Sequence, residues 1–200
     1  MAIKHTPSQE AFNGANKLGD ESAENRAALV IRTIGHSTRL LDEFLRLLSI
    51  HGISRVVDVR KMPRSRANPQ FNIDTLGAGL NAAGINYTHL PSLGGLRQRQ
   101  AGSPNTGWRH PSFQGFADYM QTPAFEAGLQ ELIDLASHES VAILCAEAVP
   151  WRCHRSLIAD ALTARGIRVE HILSAARSSA HELRPWACVR DGKVTYPAPS

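Results

Sequence analysis

Val141-Ala-Ile-Leu-Cys-Ala-Glu-Ala-Val-Pro-Trp-Arg-Cys-His-Arg-Ser-Leu-Ile-Ala-Asp160 is the stretch on which the fold of this chain turns. Its first four residues, Val141 to Leu144, are continuously apolar, the pattern of a strand covered on both faces. Cys145 and Glu147 therefore fall at or just beyond the C-terminal end of that strand, the edge at which open parallel sheets hold their ligands. A helix follows from near His154, and its first turn, His154-Arg155-Ser156, is basic where helix N-termini ordinarily favour acids. An anion held by the backbone N–H groups and these side chains would resolve the mismatch.

Working outward, the same alternation recurs upstream. Leu29-Val-Ile-Arg-Thr-Ile34 reads as a strand that runs through Gly35-His36 into an amphipathic helix, with Ser37 or Thr38 as its cap and Leu41, Phe44, Leu45 and Leu48 as its apolar stripe. Gly52 ends that helix in the position that favours glycine, and Ser54-Arg-Val-Val-Asp-Val-Arg60 is the second strand. A basic loop, Lys61 to Gln70, leads to a weaker helix carrying Ile73, Leu76 and Leu80, which Gly84 stops. Ile85-Asn-Tyr-Thr-His-Leu90 is the third strand and opens into the Gly94-Gly95 pair, where the backbone can approach a ligand closely. The stretch from Gln98 to Pro111 is irregular. Thr122-Pro123 then starts a helix whose buried face is Phe125, Leu129, Leu132, Ile133 and Ala136.

Downstream of the opening stretch, Ile167 to Leu173 is a fifth strand, and Asp191-Gly192 between two β-prone runs is a hairpin signal. The fold class that follows is α/β: a Rossmann-like three-layer sandwich of about five mostly parallel strands, with a small C-terminal hairpin against an edge. Residues 1–28 lack periodicity and read as a flexible tail, leaving residues 29–200 as a single domain.

Composition sets the surroundings. The chain has 200 residues, 42% hydrophobic and 20% charged, which suits one globular domain. No apolar run is long enough for a membrane span and the N-terminus has no signal-peptide pattern, so no membrane partner and a cytoplasmic location are expected. Three cysteines without repeated short spacing argue against a disulfide framework. The net charge of +4 mildly favours an anionic small molecule or nucleic acid as partner.

With parallel strands ending on one side, polar groups gather there. His36 comes from the first strand, Asp58 and Arg60 from the second, His89 and Gly94-Gly95 from the third, and Cys145 and Glu147 from the fourth. Cys145 is either a small core residue or a thiol whose pKa is lowered by the helix start and Arg155. Glu147 is either paired with Arg60 or a general acid or base. Asp58 either fixes Arg60 or His36 by a salt bridge or acts as the base. Ser156 is a cap or a ligand contact, and Arg64 and Arg66 solvate their loop or reach the ligand edge.

The blocks Thr33-Ile-Gly-His-Ser37, Val57-Asp-Val-Arg60 with Pro63 and Ser65-Arg66, Tyr87-Thr-His-Leu-Pro91 with Leu93-Gly-Gly95, and Cys145-Ala-Glu147 with Cys153-His-Arg155 resemble domain-of-unknown-function family 488. The resemblance runs from about Val30 to Tyr196. It implies that these motifs form a shared site without saying what the site does.

The reading that follows is a small enzyme acting on an anionic substrate, a nucleotide or nucleic-acid component. In it Glu147, Cys145, Asp58 and His36 are the catalytic candidates. Arg60, Arg66, His89, Gly94, Gly95, His154, Arg155 and Ser156 are the binding candidates. A module that binds the same partners without chemistry is the alternative. Cys145, Cys153 and His154, with His36 or His181, also supply metal-ligand types, but their spacing is not that of a paired-cysteine zinc site, and no metal or other cofactor is assigned.

Overall fold

The computed structural model describes residues 29–198, so the expected N-terminal tail lies outside them. Strands and helices alternate as β1 (Val30–Gly35), α1 (Leu41–Ile50), β2 (Arg55–Asp58), α2 (Ile73–Ala82), β3 (Asn86–His89), α3 (Pro111–Tyr119), α4 (Pro123–His138), β4 (Val141–Cys145), α5 (Arg155–Thr163), β5 (Arg168–Ser174), β6 (Arg177–Ala180), β7 (Cys188–Arg190) and β8 (Lys193–Thr195). The first six strands form one sheet in the order β3-β2-β4-β1-β5-β6. All its pairings are parallel except β5 with β6.

β4 lies inside the sheet and every one of its residues is buried. Its side chains alternate between the two faces. Val141 and Ile143 join Phe116, Phe125, Leu129, Leu157 and Leu162 from α3, α4 and α5. Ala142 and Leu144 join Phe44, Leu48, Leu76 and Leu80 from α1 and α2. A strand that must satisfy an apolar layer on both sides can carry no polar residue until it ends, which is why the run reads as unbroken. Truncating a fully buried aliphatic side chain such as Ile143 to alanine costs about 2–5 kcal/mol.

Several boundaries follow the local chemistry. Thr122 caps α4 by accepting a hydrogen bond from the Phe125 N–H, with Pro123 at the first helical position. Gly52 and Gly84 adopt φ of +63° and +72° just past α1 and α2, the left-handed exits expected of them. Asp191 and Gly192 both have positive φ, as a two-residue hairpin turn requires.

Other features differ from the sequence expectation. Helix α1 starts after Leu40 without a side-chain cap. Neither Ser37 nor Thr38 caps it, because the Ser37 N–H still continues the β1/β4 ladder to the Ala146 carbonyl. Helix α3 falls in a segment without clean periodicity. It forms because Phe116 and Ala117 bury into the core while Gly115 lets the helix lie directly on the backbone of Arg97 and Gln98. Strand β6 is Arg-Ser-Ser-Ala, a polar edge strand created by pairing with β5. It occupies the edge, and the hairpin of β7 and β8 forms a separate small sheet. Val194 and Tyr196 anchor that hairpin in the core layer with α4 and α5. No helix of the described residues is long and apolar enough to cross a membrane.

Candidate functional site

β1 and β4 are neighbours, yet the chain leaves them in opposite directions. After β1 it crosses the α1 face to β2, and after β4 it crosses the α5 face to β5 on the far side of β1. Such a switch point opens a crevice at the C-terminal ends of the two strands. Gly35 ends β1 there, and a Cβ on it would overlap the carbonyl of Glu147, so only glycine lets the segment after β4 pass this close.

A cleft of about 440 Å3 occupies this edge. Cys145, Cys153 and His154 line it together with Glu147, Arg60 and Gly95. The Cys145 and Cys153 sulfurs lie 4.0 and 3.7 Å from Nδ1 of His154. The other ring nitrogen, Nε2, is buried and has no partner among the described residues, so the polar contacts of this ring are the two sulfurs. The Cys145 thiol is held well below the usual thiol range, first by a hydrogen bond from the Cys153 thiol, then by His154 and Arg155, against the opposing effect of burial. The Cys153 thiol rises well above it, because it is the donor to Cys145 and is itself desolvated. Glu147 is exposed at the cleft, and none of the ion pairs of the described residues uses it.

One wall is a rigid polar cluster. Asp58 is fully buried and accepts from Arg60 Nε at 2.9 Å, Arg60 NH2 at 2.6 Å, the Arg60 backbone N–H at 3.0 Å and the Tyr87 hydroxyl at 2.8 Å. Burial would lower the Arg60 pKa, but the Asp58 hydrogen bonds outweigh it and raise it further. Burial, then the Asp58 charge, pushes the Tyr87 phenol up in turn. Arg60 NH1 donates to His36 Nε2 at 3.2 Å, which leaves the His36 proton on Nδ1, donated to the Ser37 carbonyl at 2.7 Å. His36 stacks on Phe71, and burial lowers its pKa. His89 Nε2 donates to the Arg60 carbonyl at 2.8 Å.

These contacts separate the candidate residues by position. Glu147 is not paired with Arg60, whose guanidinium is bound to Asp58, the Phe71 carbonyl and His36. Asp58 and His36 fix Arg60 and do not themselves line the cleft. Gly94 packs against the backbone of Pro91 and Lys61, whereas Gly95 faces the cleft. Arg66 is exposed on its loop and is not among the residues lining the cleft.

The basic helix start also resolves differently. Arg155 is 1% exposed and donates to the carbonyls of Ile34 at 3.0 Å and Ala148 at 3.1 Å. It ties β1 to the segment after β4 and does not line the cleft. Ser156 donates to the Cys153 carbonyl and accepts from Arg184. Of the three residues of the turn, His154 alone reaches the cleft.

Residues 40–162 match the family described as domain of unknown function DUF488. The chain belongs to the DUF488 family. The match contains Asp58, Arg60, His89, Gly94, Gly95, Cys145, Glu147, Cys153 and His154, and is narrower than the resemblance read from Val30 to Tyr196. His36 precedes it, and His171 and His181 follow it. No curated protein and no solved structure matches this DUF488 chain.

Three residues of the DUF488 segment could hold a metal ion: the ligand atoms of Cys145, Cys153 and His154 all lie within 4.8 Å of one another. His36 and His181 do not join them. Lys61, His110 and Arg152 line the cleft without having been singled out as site residues. Lys61 and Arg152 stood in view as basic neighbours of Arg60 and Cys153, but His110 comes from the irregular segment, which only tertiary packing brings here.

A second polar cluster lies on the β5 side, around Asp160. This fully buried carboxylate accepts from His181 Nε2 at 2.8 Å and Tyr196 at 2.7 Å, and pairs with Arg184. His181 Nδ1 then accepts from His171 Nε2 at 3.0 Å, and His171 Nδ1 from the Thr33 hydroxyl at 2.8 Å. The signal in the sequence was an acid at Asp160 between the apolar residues of α5, which demands buried partners.

Proposed function

We propose that this DUF488 protein is a small enzyme that acts on an anionic substrate, a nucleotide or nucleic-acid component, in the cleft at the C-terminal edge of the sheet. The carrying observation is that Glu147 opens on the cleft without an ion-pair partner among the described residues, in a lining that also contains the basic Lys61 and Arg152 and the side chains of Cys145 and His154. Because Asp58 neutralises Arg60, the lining positive charge available to an anion comes from Lys61 and Arg152. Glu147 is the group free to move a proton, and Asp58, His36 and His89 hold Arg60 rigid as the wall behind it. A preorganised wall of this kind fixes a bound substrate without rearranging.

The test is a turnover and thermal-shift screen of the full chain against nucleotides and short oligonucleotides. Glu147→Gln is expected to lower turnover about 100-fold or more, as loss of a general acid or base does, while leaving ligand-induced stabilisation in place. Lys61→Ala with Arg152→Ala is expected to weaken binding and its salt dependence. Ligand binding that depends on Lys61 and Arg152, with no turnover of any bound compound, would overturn the catalytic reading in favour of a binding module.

A further inference from the structure

We propose that Cys145, Cys153 and His154 form a binding site for a borderline-soft divalent metal ion, zinc being the fitting case, with an open coordination position that faces the cleft. The first argument is geometric. A tetrahedral ion with metal–sulfur bonds of about 2.3 Å and metal–nitrogen bonds of about 2.0–2.1 Å sets sulfur–nitrogen edges at roughly 3.6 Å and a sulfur–sulfur edge at roughly 3.8 Å. The observed sulfur–nitrogen distances are 3.7 and 4.0 Å, and all three donor atoms lie within 4.8 Å of one another. A few tenths of an ångström of side-chain movement closes the set.

The second argument is one of hydrogen-bond accounting. Nδ1 of His154 has a single lone pair or a single proton, yet two sulfurs face it, both at long range. Nε2 has no partner among the described residues, so the ring is not held in place by a bond elsewhere. Three soft or borderline donors within 4.8 Å of one another are satisfied together by one cation, whereas their own protons leave His154 with only long sulfur contacts at Nδ1.

The third concerns space. A methyl group at Gly95 would stand 2.9 Å from His154 Nδ1, so the absence of a side chain there keeps the approach to this nitrogen open. All three donors line the cleft, which puts the vacant fourth position of a Cys2His set toward whatever the cleft holds. Three protein ligands with an open fourth position are the arrangement of catalytic rather than structural zinc. The spacing in the sequence hides this site, since Cys145 sits at a strand end and the other two ligands enter from the far side of a 3-10 turn at Pro150–Arg152.

The inference deepens the proposed substrate site, because the metal would form its floor, but its test reads the metal and not turnover, so either can fail alone. The full chain, reduced and stripped of metal, is titrated with cobalt(II) and then zinc. The expected result is a single equivalent of cobalt with sulfur-to-cobalt charge-transfer absorption and tetrahedral ligand-field bands, displaced by zinc. Cys145→Ser, Cys153→Ser and His154→Ala each diminish the bands, Gly95→Ala weakens binding without removing a ligand, and Cys188→Ser, on the exposed hairpin, leaves them unchanged. The absence of thiolate-to-cobalt absorption in the wild-type chain overturns the proposal without recourse to any variant. So does metal binding that survives the double substitution of Cys145 and Cys153.

Discussion

His171 Nε2 lies 3.0 Å from Nδ1 of His181, and one N–H joins the two rings into a chain that begins at the Asp160 carboxylate and ends at the Thr33 hydroxyl. Every donor in that chain meets an acceptor while His171 is neutral. Protonating His171 gives its Nδ1 a proton that faces the hydroxyl of Thr33 and sets a positive charge beside Arg155 and Arg184 in a desolvated place. Burial first, then His181 and Arg155, accordingly push its pKa down from 6.5 to about 3.

This network predicts an acid-sensitive window. Between pH 6.5 and about 3 the unfolded chain binds a proton at His171 that the folded chain does not. Stability from this residue is therefore fully present above pH 6.5 and is lost as pH falls toward the folded value, by at most about 1.4 kcal/mol per pH unit. Urea unfolding at a series of pH values checks it. His171→Asn is expected to flatten the dependence in that window by close to one proton relative to the wild type, and parallel curves would show that His171 is not its source.

At Gly35 the prediction concerns packing. A Cβ there overlaps the Glu147 carbonyl, a backbone atom that cannot rotate away. Gly35→Ala is expected to destabilise the chain by about 1–3 kcal/mol, the usual cost of overpacking, and to displace the segment that carries Glu147. Equilibrium unfolding measures the first effect, and a fall in turnover per folded molecule reports the second.

For Asp58 the expectation is structural. Asp58→Asn keeps the shape but leaves the Arg60 guanidinium, 8% exposed, without its counter-charge. Breaking a buried pair from one side costs about 3–5 kcal/mol. Thermal unfolding is therefore expected to shift strongly, and turnover to fall through the lost folded fraction and the loosened Arg60 wall together. A variant of unaltered stability that has lost its activity would instead return Asp58 to the role of acid or base.

Much of the architecture was legible in the chain because it depends on local chemistry. The unbroken apolar run at β4, the glycines past α1 and α2, the Thr122-Pro123 start and the Asp191-Gly192 turn each satisfy a requirement of nearby backbone. Helix α3 and strand β6 were not legible, since a short helix interrupted by Gly115 and an Arg-Ser-Ser-Ala strand exist only through the neighbours they pack or pair with.

The candidate site divides along the same line. The sequence by itself determined that Cys145, Glu147, Asp58 and His36 belong to strand ends at one edge, because in a parallel sheet the ends of all strands share a side. Only the tertiary structure decided which of them face the cleft. Side-chain direction and hydrogen-bond partners at a strand end depend on neighbours distant in the chain, and so Asp58 is consumed by Arg60 and Tyr87, Arg155 by two backbone carbonyls, while Glu147 opens on the cleft. The convergence of Cys145, Cys153 and His154 is more local: the three lie within ten residues of one another, and the 3-10 turn at Pro150–Arg152 folds the helix start back onto the end of β4, a reversal that their spacing alone does not record.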